Sequence, residues 1–286
     1  MQSRGGWLPL MHWVTQSMLV GLLAAPVVGQ AQTGLDPKWI AYNRAGAPNS
    51  PLQCFTPANV AVTGGNLVLT TKAEQASCVS IDIPQGFHDY TSAFVQMRDF
   101  KFLYGTIEFR AKFGGGMKSG SWPTIWMLDA SCQPSDPTGT DDNCTGQEID
   151  MTEILDSNFK QVNQQIHIDN FKYNDGCKPQ VSDTSQNFHV YQMDWSAGSL
   201  VFKIDGKTTC TLAKKYIPSR PMYLKISVYV GGFAGSVNNG SLPWTTLIDY
   251  VKVTQGANVI FEDQFNESPG AAPVPANQKR KKGKST

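Results

Sequence analysis

The chain has 286 residues and a near-even balance of 24 Lys+Arg against 23 Asp+Glu. That balance gives no electrostatic reason to bind nucleic acid or an anionic membrane. A charged fraction of 16%, with 26 Gly and 17 Pro, suits many short strands joined by turns, and a body of this length can bury one core.

In chain order, Arg4 precedes an apolar run from Met18 to Gly29, closed by the small-residue site Gly29-Gln-Ala31. This predicts a signal peptide over residues 1–31, with an N-terminal anchor as the alternative. No later segment is apolar enough to span a bilayer. Residues 32–266 are expected to form one folded domain. Within it, period-two alternation predicts strands at Asn66–Thr71, Tyr104–Phe113, Tyr223–Val230 and Thr246–Val253. On the second of these, Thr106, Glu108, Arg110 and Lys112 share a polar face, and Glu108 and Arg110 are expected to pair. Leu200–Ile204 and Lys207–Leu212 flank Asp205-Gly206, the turn favoured in two-residue hairpins. There is no long helical period. Residues 267–286 are Pro/Ala-rich and then basic, which predicts a disordered tail.

Six cysteines in an exported chain predict disulfides. Proximity in sequence favours Cys54–Cys78, Cys132–Cys144 and Cys177–Cys210, although six cysteines allow fifteen connectivities. A zinc site is the rival, but no pair has C-x-x-C spacing.

The chemistry concentrates in Gly146-Gln-Glu148-Ile-Asp150-Met-Thr-Glu153. Glu148 and Asp150 are two apart and face one side of a strand. Simple alternation sends Glu153 to the opposite, buried face, where an unpaired carboxylate is costly. A β-bulge at Met151-Thr152 returns it to the first face. Three acids on one face raise at least one another's pKa, giving a proton donor beside an ionised partner, which is what cleavage of a glycosidic bond requires. A calcium site or a surface acidic strand is the plainer alternative.

These residues resemble glycoside hydrolase family 16 in its laminarinase-like, endo-β-1,3-glucanase branch. Glu148, Asp150 and Glu153 match its E-x-D-x-x-E signature. The stretches Tyr104–Lys112, Ser121–Leu128, Phe188–Trp195, Val230–Gly232 and Ile248–Val253 follow the family's order. The resemblance implies an all-β, concanavalin-like jelly-roll β-sandwich, with a substrate cleft on its concave sheet. It implies hydrolysis with retention: Glu148 as nucleophile, Glu153 as general acid/base, and Asp150 bonded to the nucleophile. Trp122 and Trp126 would be sugar platforms, unless they are core aromatics. His167 would contact the acid/base, unless it is a plain surface histidine. No cofactor is required. The implied partner is a β-linked polysaccharide, with no nucleic acid, no membrane span, and a monomeric, secreted protein. A transglycosylase and a non-catalytic lectin on the same fold are the alternatives.

Two departures stand out. The family's opening strand is absent before Leu35-Asp-Pro-Lys-Trp39, and a likeness of it appears at Phe261-Glu-Asp-Gln-Phe-Asn266. That segment is expected to fill the missing strand's place. The family's structural calcium draws on that opening region and on an Asp matching Asp249, so the calcium is left open. Ser227 stands where many laminarinases carry Asn, which unsettles the choice of substrate.

Overall fold

The computed structural model describes residues 34–46, 52–78, 86–132, 146–169, 171–213 and 216–266. The expected signal peptide, the basic tail and residues 133–145, Cys144 among them, lie outside the described residues. Alternating apolar residues and Gly-rich turns produce strands almost throughout. In chain order they are β1 (Trp39–Ala41), β2 (Arg44–Ala45), β3 (Gln53–Phe55), β4 (Val60–Thr63), β5 (Asn66–Thr71), β6 (Ala76–Cys78), β7 (Gly86–His88), β8 (Tyr90–Ser92), β9 (Phe94–Met97) and β10 (Gly105–Gly115). They continue as β11 (Ser121–Asp129), β12 (Glu148–Glu153), β13 (Asn163–Ile168), β14 (Tyr173–Cys177), β15 (His189–Ser196), β16 (Ser199–Ile204), β17 (Lys207–Ala213), β18 (Met222–Val230), β19 (Trp244–Gln255) and β20 (Asn258–Asp263).

Two large antiparallel sheets stack into the sandwich. One runs β1-β9-β18-β11-β12-β13-β14; the other runs β17-β16-β15-β10-β19-β5-β4, with β20 also on β19. Their facing sides bury one core, in which Phe109 and Phe113 of β10, Ile125 and Met127 of β11, Ile149 of β12 and Ile226 of β18 are fully enclosed. Each apolar side chain of this kind contributes about 1.5–3 kcal/mol by leaving water. This is the jelly-roll sandwich that the strand pattern led one to expect. At the β16–β17 hairpin, Asp205 and Gly206 both take positive φ (51° and 76°), the two-residue turn whose twist matches its strands.

Two of the expected disulfides are present, Cys54–Cys78 and Cys177–Cys210. Cys132 is also disulfide-bonded. The Cys177–Cys210 bridge ties β14, at the edge of one sheet, to β17, at the edge of the other.

One expectation changes, and two further features go beyond what the strand pattern specified. Glu108 and Arg110 do not pair with each other: Arg110 Nη1 meets Asp249 Oδ2 at 2.6 Å, while Glu108 faces Lys252 at 3.6 Å and accepts from Tyr250 Oη. Both residues lie on β10, in the sheet opposite β12, and cross-strand neighbours on β19 lie nearer than residues two apart on one strand. The alternation in β18 does not produce an open face either, because all nine of its residues are buried. Tyr42, Arg44 and Phe55 cover Phe94, Lys225 and Tyr229, so the β1-β9-β18 side of the seven-stranded sheet is closed over. Finally, β20 runs antiparallel to β19 beyond the stretch paired with β5, and it packs Phe261 and Asp263 against Trp39. The C-terminal segment therefore docks on the Leu35–Trp39 region.

Candidate active site

β12 lies between β11 and β13 in the seven-stranded sheet. Its register shifts against both neighbours. Trp126 pairs with Asp150 and Ile125 with Thr152, skipping Met151; on the other side, Asp150 pairs with Gln165 and Glu153 with Asn163. This is the bulge that the spacing of the acids demands. Met151 and Thr152 are buried, and Glu153 returns to the face of Glu148 and Asp150.

The three carboxylates line one cavity of about 630 Å³ with Trp122, Leu155, Asn163, Gln165, His167, Phe171, Lys178 and Phe233. Trp122 donates from Nε1 to Glu153 Oε1 at 3.0 Å, and Gln165 donates from Nε2 to Glu153 Oε2 at 3.0 Å. His167 Nε2 stands 3.0 Å from Asp150 Oδ2 and 4.0 Å from Glu148 Oε1. Its Nδ1 meets Asn174 Oδ1 at 2.6 Å.

Burial, then the charge of Asp150, then that of Glu153 push the Glu148 carboxyl well above the ordinary range. Burial and Asp150 push Glu153 up to about 8, against the hydrogen bond of Trp122, the charge of His167 and the hydrogen bond of Gln165. Glu153 is therefore an acid protonated at neutral pH whose anion already has two donors waiting, a state suited to giving a proton away. For His167, burial works to lower the pKa, but the hydrogen bond and charge of Asp150, then Asn174, outweigh it and raise it.

Among the residues singled out by sequence, Glu148, Asp150, Glu153, Trp122 and His167 come together in this cavity, while Trp126 does not line it. Trp126 is half-buried, packs on Phe94, carries Lys225 Nζ 4.2 Å from its ring centroid and donates to Ser227 Oγ. Burial and Arg44 hold that lysine well below its usual pKa. Gln165 went unremarked in the sequence, although it alternates with His167. Phe171 and Phe233, 55% and 68% exposed, flank the cavity as apolar rims; no periodicity announces them, because one sits in a turn and the other in the three-residue 3-10 helix Gly232–Ala234.

Glu148, Asp150 and His167 offer ligand atoms within 4.8 Å of one another. Their contacts already serve one another, and the cluster is short of the six or more oxygens that calcium takes. At Asp249 the guanidinium of Arg110 holds the place a cation would take, so that residue does not fit a calcium site here.

Similarity to known proteins agrees with this geometry. The catalytic domain of an endo-1,3-β-glucanase (laminarinase) from Thermotoga petrophila superposes with a TM-score of 0.68 at 27% identity, over 79% of this chain and 94% of that one. A keratan-sulfate endo-1,4-β-galactosidase of Sphingobacterium multivorum is 27% identical over 76% of this chain and 50% of its own length. A glucan endo-1,3-β-glucosidase A1 of Niallia circulans is 28% identical over 72% of this chain and 32% of its own. The chain thus spans about half or less of the length of these two curated relatives. The model of glycosyl hydrolases family 16 matches residues 54–252, a stretch that holds most strands of the two sheets, the bulged strand and every residue named as lining the carboxylate cavity, and the chain belongs to that family.

Proposed function

We propose that the protein is a secreted, retaining endo-glycoside hydrolase acting on β-linked polysaccharide, most naturally β-1,3- or mixed β-1,3/1,4-glucan. The observation that carries this reading is the bulge that brings Glu148, Asp150 and Glu153 onto one face over a single sugar-sized cavity. Glu148, in its ionised form, attacks the anomeric carbon while Glu153 protonates the departing glycosidic oxygen, leaving a glycosyl ester on Glu148. Glu153, now ionised and held by Trp122 and Gln165, takes a proton from water as that water attacks the ester. Asp150 and His167 hold the charge of the cluster between these steps. Trp122, Phe171 and Phe233 give apolar ring faces to the sugars. The laminarinase and glucanase relatives support the glucan assignment, and the keratan-sulfate relative makes galactans worth including in the test. The disulfides support export, since such bonds persist in oxidising compartments.

The test is release of reducing sugar from laminarin, lichenan, xyloglucan, agarose and keratan sulfate by the wild type and by Glu148→Gln. Cleavage by the wild type alone is the expected result. Equal activity in the variant, or no cleavage of any glycan, overturns the reading. The rate of the wild type is expected to fall as pH rises through about 8, where Glu153 loses its proton.

A further inference from the structure

The β13–β14 connection brackets His167, the one histidine among the described residues that line the cavity. Asn174 Nδ2 donates to the Phe171 carbonyl oxygen at 3.1 Å. A carbonyl oxygen only accepts, so the amide of Asn174 is oriented and its Oδ1 must be the atom facing His167 Nδ1 at 2.6 Å. An amide oxygen only accepts as well, so Nδ1 carries a hydrogen. On the other side of the ring, Nε2 faces the carboxylates of Asp150 at 3.0 Å and Glu148 at 4.0 Å. A bare Nε2 lone pair would repel them, whereas an N–H attracts them. Phe171 holds its end of the arrangement: it sits at φ 63°, a strained conformation for a bulky residue, with its ring 4.6 Å from the imidazole.

We propose that Asn174 is a positioning residue that holds His167 with a proton on each ring nitrogen, so that an imidazolium stands as the counter-charge to Asp150 and Glu148. This rests on the proposed function for its role in turnover, but not for its structural readout. The groups facing His167 are Glu148, Asp150 and Glu153 from β12, Asn174 from β14, the apolar Phe171 from the turn, and Lys178 across the cavity. Only one cation, His167, touches the carboxylate cluster among the described ion pairs. Without Asn174, a neutral ring with its hydrogen on Nε2 would satisfy Asp150 alone, and the positive charge would be lost near neutral pH. Asn174 would then act on the reaction through His167, by keeping Glu148 ionisable in a buried, acidic setting.

The experiment compares the wild type, Asn174→Leu and Asn174→Asp, with ¹⁵N shifts of the His167 imidazole and pH–rate profiles. At about pH 6.5, where an ordinary histidine is half titrated, both His167 nitrogens of the wild type are expected to be protonated. Asn174→Leu should give a singly protonated ring. It should also move both limbs of the rate profile to higher pH, because Glu148 and Glu153 both lose a neighbouring cation. At pH 6 its kcat should fall about tenfold or more with KM within about twofold. Asn174→Asp keeps an acceptor for Nδ1–H and should keep the doubly protonated ring. A neutral His167 in the wild type at that pH overturns the proposal whatever the variants do. So does an Asn174→Leu profile that is lowered without being displaced, which is what a merely structural role would give. If no glycan is cleaved but the ring is doubly protonated and depends on Asn174, the assigned reaction fails and the positioning stands.

Discussion

At the scale of single residues, the cavity shows how neighbours divide labour between similar carboxyls. Glu153 has two N–H donors on its oxygens, and Glu148 has an imidazole edge. Trp122→Phe keeps the ring against Tyr229 and Phe233 but removes a donor that favours the charged form of Glu153. Its alkaline fall in rate is expected to move up by about one pH unit, since a hydrogen bond to a charged group is worth about 1.5–3 kcal/mol; an unmoved limb would show that the indole N–H does not act on Glu153. Because burial and repulsion raise Glu148, the folded chain holds a proton that the unfolded chain has released above the ordinary carboxylate range. Stability therefore falls as pH rises from that range toward the folded pKa. Glu148→Gln removes this load and should raise Tm at pH 7 by about 2–4 °C while abolishing activity. An unchanged or lower Tm would count against a strained triad. The slope has the same sign for His167, but there the charged form is the favoured one: its raised pKa contributes stability that is complete below the unfolded value of 6.5 and is lost as pH rises through the folded one.

Among the elements, β12 carries the consequence of one extra residue. Deleting Met151 removes the bulge and leaves Glu153 four strand positions from Glu148, so plain alternation still holds it on the face of Glu148 and Asp150. That change is expected to keep the acids together and to cost about 2–5 kcal/mol from the loss of a buried methionine; urea denaturation and sugar release measure it, and complete loss of activity in a folded deletion would show that the site needs the bulge itself. This feature was legible in the sequence because a five-residue gap between two acids conflicts with period two, and only a bulge resolves it. The hairpin at Asp205-Gly206 was legible for a similar local reason. The closed face of β18 was not, because Tyr223, Lys225, Ser227 and Tyr229 alternate as an exposed strand would, and the residues that cover them lie about 170–180 positions earlier in the chain. Trp126 was hard to place for the same reason: the sequence does not show that it packs half-buried against Phe94 and Lys225, away from the residues that line the cavity. Nothing in the spacing of Glu108 and Arg110 foretold that each would look to β19 instead.

For the whole molecule, the sandwich is fastened at its margins. Cys177–Cys210 joins the two sheets at the edge where β14 flanks the cavity. Replacing both cysteines by serine should lower stability by about 2–4 kcal/mol and loosen the β14 side of the site; a melting curve unchanged from the wild type would show that side-chain packing alone holds this edge. Arg110 already neutralises Asp249, so EDTA is expected to leave Tm unchanged, and a Tm that climbs with added calcium would refute this.

The covered half of the inner sheet sets the width of the floor open to a glycan. From β11 to β14 there are three inter-strand gaps, about 14 Å in all at the usual strand spacing. Among the described residues, a polymer laid across these strands would meet this floor along only a few pyranose rings. Branches or side groups beyond that short footprint would not touch the floor, so a decorated chain would need only one bare stretch on which to settle.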